Sequence, residues 1–400
     1  MGGVARETRG RARKKGRAER RVARRGGICR DEGMVMWGLF LLAVGLMGLG
    51  LLTWVHVPNR VPWRIAVGAG VYGHVLALAA VTTGCAAWWM GGKVVAVVGF
   101  VAAAMLLRPV ISARRIGERA REALDAMGAP EGGAAFTWGR LWSGKVEAVE
   151  GEVWRMENGL EVDFYRAAGR EVAPCVLVVH GGGWDGGDRK QLPEMNHWLA
   201  HHGYAVAAVS YRLAPEHRWP AQREDVRGAI AWVKANAVEL GVDATRLVLL
   251  GRSAGGQIAL NVAYTAKDPA VRGVVGLYAP ADLFLGYESG REDDALQSRR
   301  LLRQYLGGTP EEVPEVYAEA SATTHVRGDS PPTLLLHGKL DTLVWERHTA
   351  RLAEKLKAEG VPHAVVWLPW ATHAFEYELN GPGGQVTTYA LGRFLRRVVG

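Results

Sequence analysis

The chain has 400 residues, with 49 Lys and Arg against 40 Asp and Glu, and three cysteines. That length accommodates an apolar anchor region and one catalytic core of about 250 residues. The first 30 residues hold twelve of the Lys and Arg but two Glu, so the net charge of +9 belongs to this arm and implies no acidic polymer substrate. Cys29, Cys85 and Cys175 are scattered and odd in number, which argues against a disulfide framework and against a metal site.

The basic arm, 1–33, is too polar to fold alone. Its clusters Arg13-Lys14-Lys15 and Arg24-Arg25 would suit nucleic acid, but an apolar run follows at once. Anionic lipid at a cytoplasmic membrane face explains them without a nucleic-acid partner. Residues 34–112 are expected to be transmembrane. The stretch 34–57 carries no charge and, at about 1.5 Å per residue, reaches roughly 36 Å, which crosses a bilayer and is too long for a cleaved signal. The stretch 65–90 is a second span, with His74 its polar residue, expected to pack against a neighbouring helix. The stretch 93–111 reads either as an interfacial helix or as a short third span whose Arg108 reaches the interface, and the span is favoured. The positive-inside rule keeps the N-terminus cytoplasmic. Three spans then make the catalytic domain extracytoplasmic; two would leave it inside, and the run Arg114-Arg115-Ile116-Gly117-Glu118-Arg119 argues for that side.

Residues 113–149 read as a linker or cap before a catalytic domain at 150–400. Within it, 160–165 alternates apolar and polar residues and suits an edge strand. The runs 176–180, 205–211, 247–251 and 271–278 are nearly all apolar, as strands covered on both faces should be. Helical stretches at 192–202, 223–236 and 254–266 separate them, giving β-α-β units and a mostly parallel sheet. The connection 282–326 is longer than a crossover needs and reads as a lid over the site.

Four motifs fall at strand ends. Gly251-Arg252-Ser253-Ala254-Gly255 follows Leu247-Val248-Leu249-Leu250 and opens a helix, which makes Ser253 the apex of a nucleophile elbow. His180-Gly181-Gly182-Gly183-Trp184 ends another strand in bare backbone N–H groups. Gly182, Gly183 and the N–H of Ala254 are the candidate oxyanion donors. Asp341 follows Leu334-Leu335-Leu336-His337-Gly338, and His373 follows Val365-Val366-Trp367-Leu368, giving the order Ser, Asp, His of a hydrolytic triad. Singly, each has an ordinary reading: a tight turn, a flexible loop, a surface histidine, an aspartate capping the helix at 346–359. Their joint occurrence in this order is what points to chemistry.

The set His180 to Trp184, Tyr211-Arg212-Leu213-Ala214-Pro215-Glu216-His217 and Gly251 to Gly256 resembles the hormone-sensitive-lipase-like carboxylesterases of the α/β-hydrolase superfamily. His337-Gly338-Lys339-Leu340-Asp341 looks more like the related feruloyl-esterase-like branch. The resemblance covers about residue 150 to the C-terminus. It implies an α/β-hydrolase fold and a cofactor-free serine esterase or lipase, with Ser253, Asp341 and His373 as the triad, acting on a small-molecule or lipid ester. It also implies a structural loop at 211–216 with Asp225 as its anchor. A serine peptidase of the same fold and a non-catalytic module retaining that fold stay open as alternatives. The oligomeric state is not legible.

Overall fold

The computed structural model describes residues 32–400, so residues 1–31 of the basic arm, with Cys29, lie outside the described residues. The chain divides into two compact units: 32–51 of the described residues with His74–Leu107, and Leu52–Gly73 with Arg108–Gly400. The apolar region is built from α1 (Glu32–Leu51), α2 (Arg60–Trp89), which bends at Tyr72, and α3 (Lys93–Leu106). In the first unit, Gly84 and Gly99 let helices cross closely. A Cβ on Gly84 would meet the Phe100 ring at 2.9 Å, and one on Gly99 would meet backbone atoms of Ala80 and Gly84 at 3.0 Å. Small residues at such crossings are how apolar helices pack without a hydrophobic drive between them. His74 is buried, as are Ala80, Ala87 and Ala96, whereas Trp37, Leu41, Leu78, Trp88 and Trp89 are exposed.

Three stretches, Glu32–Leu51, Arg60–Trp89 and Lys93–Ala126, are long and apolar enough to cross a membrane by length and composition. Their limits differ from the sequence expectation. The first helix stops at Leu51 rather than continuing to 57, and residues 52–57 are instead fastened by hydrogen bonds from Thr342 to Val57 O and from Arg108 to Thr53 O. The second begins at Arg60 rather than 65, with the Trp63 N–H donating to Asn59 O at 2.9 Å and Pro62 tolerated in the first turn. The third joins α4 (Arg108–Ala126) at Leu107.

Part of the expected linker is therefore helix, and α4 belongs to the second unit. Its Ala113, Ile116, Gly117, Ala120 and Leu124 recur at helical spacing and are buried. The remaining helices are α5 (Glu194–His201), α6 (Ala221–Ala235), α7 (Ala237–Leu240), α8 (Ala254–Thr265), α9 (Leu283–Ser289), α10 (Ser298–Leu306), α11 (Pro314–Ala320), α12 (Arg347–Ala358) and α13 (Pro382–Val399).

Among the described residues the strands β1 (Glu152–Arg155), β2 (Glu161–Tyr165), β3 (Ala173–Val179), β4 (Ala205–Val209), β5 (Val242–Arg252), β6 (Val271–Leu277), β7 (Thr333–Gly338) and β8 (His363–Leu368) form one sheet. Their order is β1-β2-β4-β3-β5-β6-β7-β8, parallel from β4 onwards. The expected edge strand at 160–165 is β2. It lies one strand in, antiparallel to both β1 and β4, and four of its five residues are buried. Alternate strand residues feed two cores. Leu177, Ala207 and Leu249 pack beneath α6, α8 and α12, while Val178, Ala208 and Leu250 pack beneath α4, α5 and α13. This is the α/β-hydrolase arrangement, a mostly parallel sheet with helices on both faces. Cys85 and Cys175 are free thiols, and burial pushes the Cys175 thiol up to about 12.

Register fixes where the polar chemistry emerges. Arg252 pairs with Leu277, Leu277 with Leu336 and Leu336 with Val366. Ser253 and Tyr278 thus leave the sheet, and His337 sits one residue before the end of β7, along one carboxyl edge, where ligands bind in open α/β sheets.

Candidate active site

Ser253 has φ 50° and ψ −122°, between the last residue of β5 and the first of α8. Such backbone costs about 1–3 kcal/mol and persists only where its surroundings enforce it. Here the Ser253 N–H donates to Leu277 O at 2.9 Å, and its carbonyl accepts from Gly256 N at 2.8 Å. The flanking glycines are compulsory. A Cβ on Gly251 would lie 2.2 Å from Gly255 O, and one on Gly255 would lie 2.2 Å from His180 O.

The glycine loop after β3 is held from beneath. Gly181 N donates to Gln191 Oε1 at 2.8 Å, and the Tyr211 hydroxyl donates to His180 O at 3.1 Å while its ring stacks on His180 at 4.1 Å. Asp225 accepts from the backbone N–H, Nε and Nη2 of Arg212, so it anchors the 211–216 loop as the resemblance implies. Gly182 and Gly183 have φ 124° and 66°. Gly183, Ser253 and Ala254 line one cavity, walled by Trp184, Leu283, Leu301 and Leu302. Gly182 stands one residue back, where a Cβ would lie 2.1 Å from Gly186 O. Ala254 opens α8, so its N–H has no intrahelical acceptor. Much of the wall comes from 282–326, the expected lid.

Asp341 and His373 are brought together. His373 Nδ1 donates to Asp341 Oδ2 at 2.6 Å, while Asp341 Oδ1 accepts from the N–H groups of Leu343 and Val344 at 2.9 and 3.0 Å. Burial alone would raise the Asp341 carboxyl, but His373 and His337 outweigh it and hold the group well below the usual carboxylate range. With Nδ1 donating, the neutral imidazole keeps its Nε2 lone pair for a proton. Among the described residues no hydrogen bond joins Ser253 to His373; catalytic contacts are often loose before substrate binds.

Four further residues near this edge escape sequence reasoning. Arg252 donates through Nε to Glu376 Oε1 at 3.1 Å, and both side chains are buried. The Tyr278 hydroxyl donates to the same oxygen at 2.5 Å, and its ring lies 4.1 Å from His373. Burial, then Glu376, pushes that hydroxyl well above its ordinary range, so it stays a donor. Trp63 lies on the other side of His373, ring centroids 6.5 Å apart. Arg252 is the variable position of the elbow motif and Glu376 trails the histidine by three; no spacing rule marks either. Among the described residues no cluster of three or more His, Cys, Asp or Glu could hold a metal ion.

Residues 162–356 match the BD-FAE family model. Esterase LipC of Mycobacterium tuberculosis is 32% identical over 245 residues, 56% of this chain and 59% of that protein. The probable carboxylic ester hydrolase LipM of the same organism is 31% identical over 237 residues, 56% of this chain and 54% of that protein. The chain thus spans less than two thirds of the length of each of these two relatives. An esterase structure from Pyrobaculum calidifontis superimposes with a TM-score of 0.55 at 26% identity, covering 72% of this chain and 94% of that one. The catalytic unit is similar to esterases in both sequence and fold.

Proposed function

We propose that this chain is a membrane-anchored serine hydrolase of carboxylic esters, working through Ser253, His373 and Asp341. The observation that carries the reading is the buried Asp341–His373 hydrogen bond, on the sheet edge that also carries the Ser253 elbow.

His373 Nε2 takes the Ser253 hydroxyl proton as Oγ attacks the ester carbonyl carbon. The carbonyl oxygen becomes an alkoxide, held by the N–H groups of Gly182, Gly183 and Ala254, each worth about 2.7–4 kcal/mol. Collapse breaks the C–O bond to the alcohol, which leaves with the proton from His373. Water then attacks the acyl-serine, giving its proton to His373, and the carboxylic acid departs as Ser253 regains a proton. Asp341 fixes the imidazole tautomer throughout.

The three apolar stretches support anchoring, with the N-terminal arm cytoplasmic and the catalytic domain extracytoplasmic, on a small-molecule or lipid ester. The test is hydrolysis of p-nitrophenyl esters of increasing acyl length by the full chain in detergent, beside Ser253→Ala. Turnover lost in the variant is expected. Turnover retained there, or absent from a folded wild type, overturns the proposal.

A further inference from the structure

Three arginines from segments far apart in the chain converge on one groove of the second unit. Arg140 lies in the single turn Gly139–Trp142, Arg170 in the connection that enters β3, and Arg396 in the last turn of α13. With Trp198, His202 and Tyr204 they border a depression of about 260 Å³, and among the described residues no Asp or Glu lines it. The groove stands apart from the ester site. Arg170 and Tyr204 precede β3 and β4, so they sit at the amino ends of parallel strands whose carboxyl ends face the Ser253 elbow. At about 3.3 Å per residue, the seven residues of β3 hold the two sites roughly 20 Å apart.

The three charges are uncompensated. Among the described residues none of the three forms an ion pair, whereas Arg393, one turn before Arg396 on α13, meets Asp125 at 2.6 Å. Arg140 donates to neutral oxygens, Asn380 Oδ1 and Leu379 O, both at 3.3 Å, and Arg396 Nη2 donates to Glu131 O at 3.3 Å. Arg170 is exposed and makes no hydrogen bond to another described residue. The side chains share one field. Burial lowers the His202 pKa, and His201, Arg140 and Arg396 lower it further against its bond to Trp198 O. Burial raises the Tyr204 hydroxyl, and Arg396 and Arg170 pull it back. Burial also lowers the Arg140 guanidinium, with no carboxylate to offset it. The carbonyl ends of α5 and α13 together supply about one negative charge against the three guanidinium groups. A concave site of one sign concentrates ions of the other.

The chemistry of the donors narrows the ligand. Each guanidinium presents N–H groups in a planar fork that fits oxyanions two oxygens at a time. One or two forks satisfy a carboxylate, whereas three forks match a phosphomonoester, which carries a charge of about −2 on three terminal oxygens. We infer that the groove of Arg140, Arg170 and Arg396 is a binding site for a phosphomonoester group, carried either by a soluble phosphate ester or by a lipid with a terminal phosphate. Trp198, stacked on His202 with ring centres 4.0 Å apart, offers an apolar wall to the organic part of such a ligand. The site is independent of the ester-hydrolase reading, and neither stands or falls with the other.

The full chain in detergent is titrated calorimetrically with inorganic phosphate, glycerol 3-phosphate and dihexanoyl phosphatidate, at constant ionic strength in chloride. Dihexanoyl phosphatidylcholine, which has no terminal phosphate, is the blank. Saturable binding of the three probes is expected. Affinity should fall at least about tenfold in Arg170→Gln and in Arg140→Gln, the loss that follows from removing one charged hydrogen-bonding partner. Arg170→Lys keeps the charge without the fork and is expected to recover part of the loss. Arg397→Gln, one residue outside the groove, should bind as wild type does. The same titrations separate the two carriers: phosphatidate held at least about tenfold more tightly than glycerol 3-phosphate identifies a lipid headgroup, and equal affinities identify a soluble ester, the site being supported by either. Absence of saturable binding by all three probes, or binding unchanged in Arg170→Gln and Arg140→Gln, overturns the inference. Should Arg140→Gln not fold, the exposed Arg170 decides the matter.

Discussion

Two buried acid–base pairs sit at the same sheet edge and differ in how completely they are satisfied. Asp341 places both oxygens on donors, two backbone N–H groups and the His373 imidazole, and leaves one basic nitrogen of His373 for chemistry. Among the described residues, Arg252 and Glu376 meet through one bond, and Arg252 Nη1, Nη2 and Glu376 Oε2 have no partner. On the proposed reading, burial in low dielectric makes the first pair a proton-handling device. It makes the second a costly strut, because a buried ion pair with open valences gains little over an apolar replacement. The difference teaches that charge buried beside a site need not be part of its chemistry.

Breaking the first pair should have the largest effect. Asp341→Asn is expected to lower kcat by about 10⁴ by presenting the wrong histidine tautomer, with Ser253→Ala at least as severe. Both should melt like wild type, which circular dichroism in the same detergent checks. Breaking the second pair should act on stability instead. Arg252→Met strands the Glu376 carboxylate and is expected to cost about 3–5 kcal/mol in denaturant unfolding, whereas Arg252→Met with Glu376→Leu should recover most of the loss. A double variant as unstable as the single would show that the ion pair is a net contributor after all.

The geometry of the candidate site was legible because it is local. Ser253, Asp341 and His373 each follow a run of apolar strand residues, and a strand-end position is set within about five residues of sequence. Parallel strands of the central sheet were legible for the same reason, since burial on both faces removes alternation. What escaped was non-local. Nothing near Arg252 announces Glu376, 124 residues away. The buried stripe of α4 was hidden by Arg114, Arg115, Arg119 and Arg121 on its outer face, which made a core helix read as linker. Charge-free composition likewise put 52–57 into the first span, although hydrogen bonds to Thr342 and Arg108 fasten it to the catalytic unit.

The oxyanion loop permits a finer cut. A Cβ on Gly182 would collide with Gly186 O at 2.1 Å, so Gly182→Ala must re-aim the N–H groups that follow. The expected result is a fall of about 10²–10³ in kcat with little change in KM, as for loss of one oxyanion donor. A rise in KM alone would assign the loop to substrate binding and return oxyanion stabilisation to Ala254.

The smallest expected effect concerns His348, which lines the Ser253 cavity with its Nδ1 facing Asp282 N at 3.4 Å. Burial, reinforced by His337 and Arg351 against Asp282 and Asp341, lowers its pKa from an ordinary 6.5 to about 3. The folded protein therefore keeps this imidazole neutral while the unfolded chain takes up a proton as pH falls through 6.5. Between pH 6.5 and 3 the unfolded state binds more protons, so stability must decline on acidification across that window. At pH 5 the loss from this group is about 2 kcal/mol. His348→Gln retains an acceptor for Asp282 N but cannot titrate, so wild type and variant should converge in relative stability by that amount between pH 7.5 and 5. Parallel pH profiles would mean that His348 is hydrated or charged in the folded state, and that the cavity wall it forms opens to water more than its burial implies.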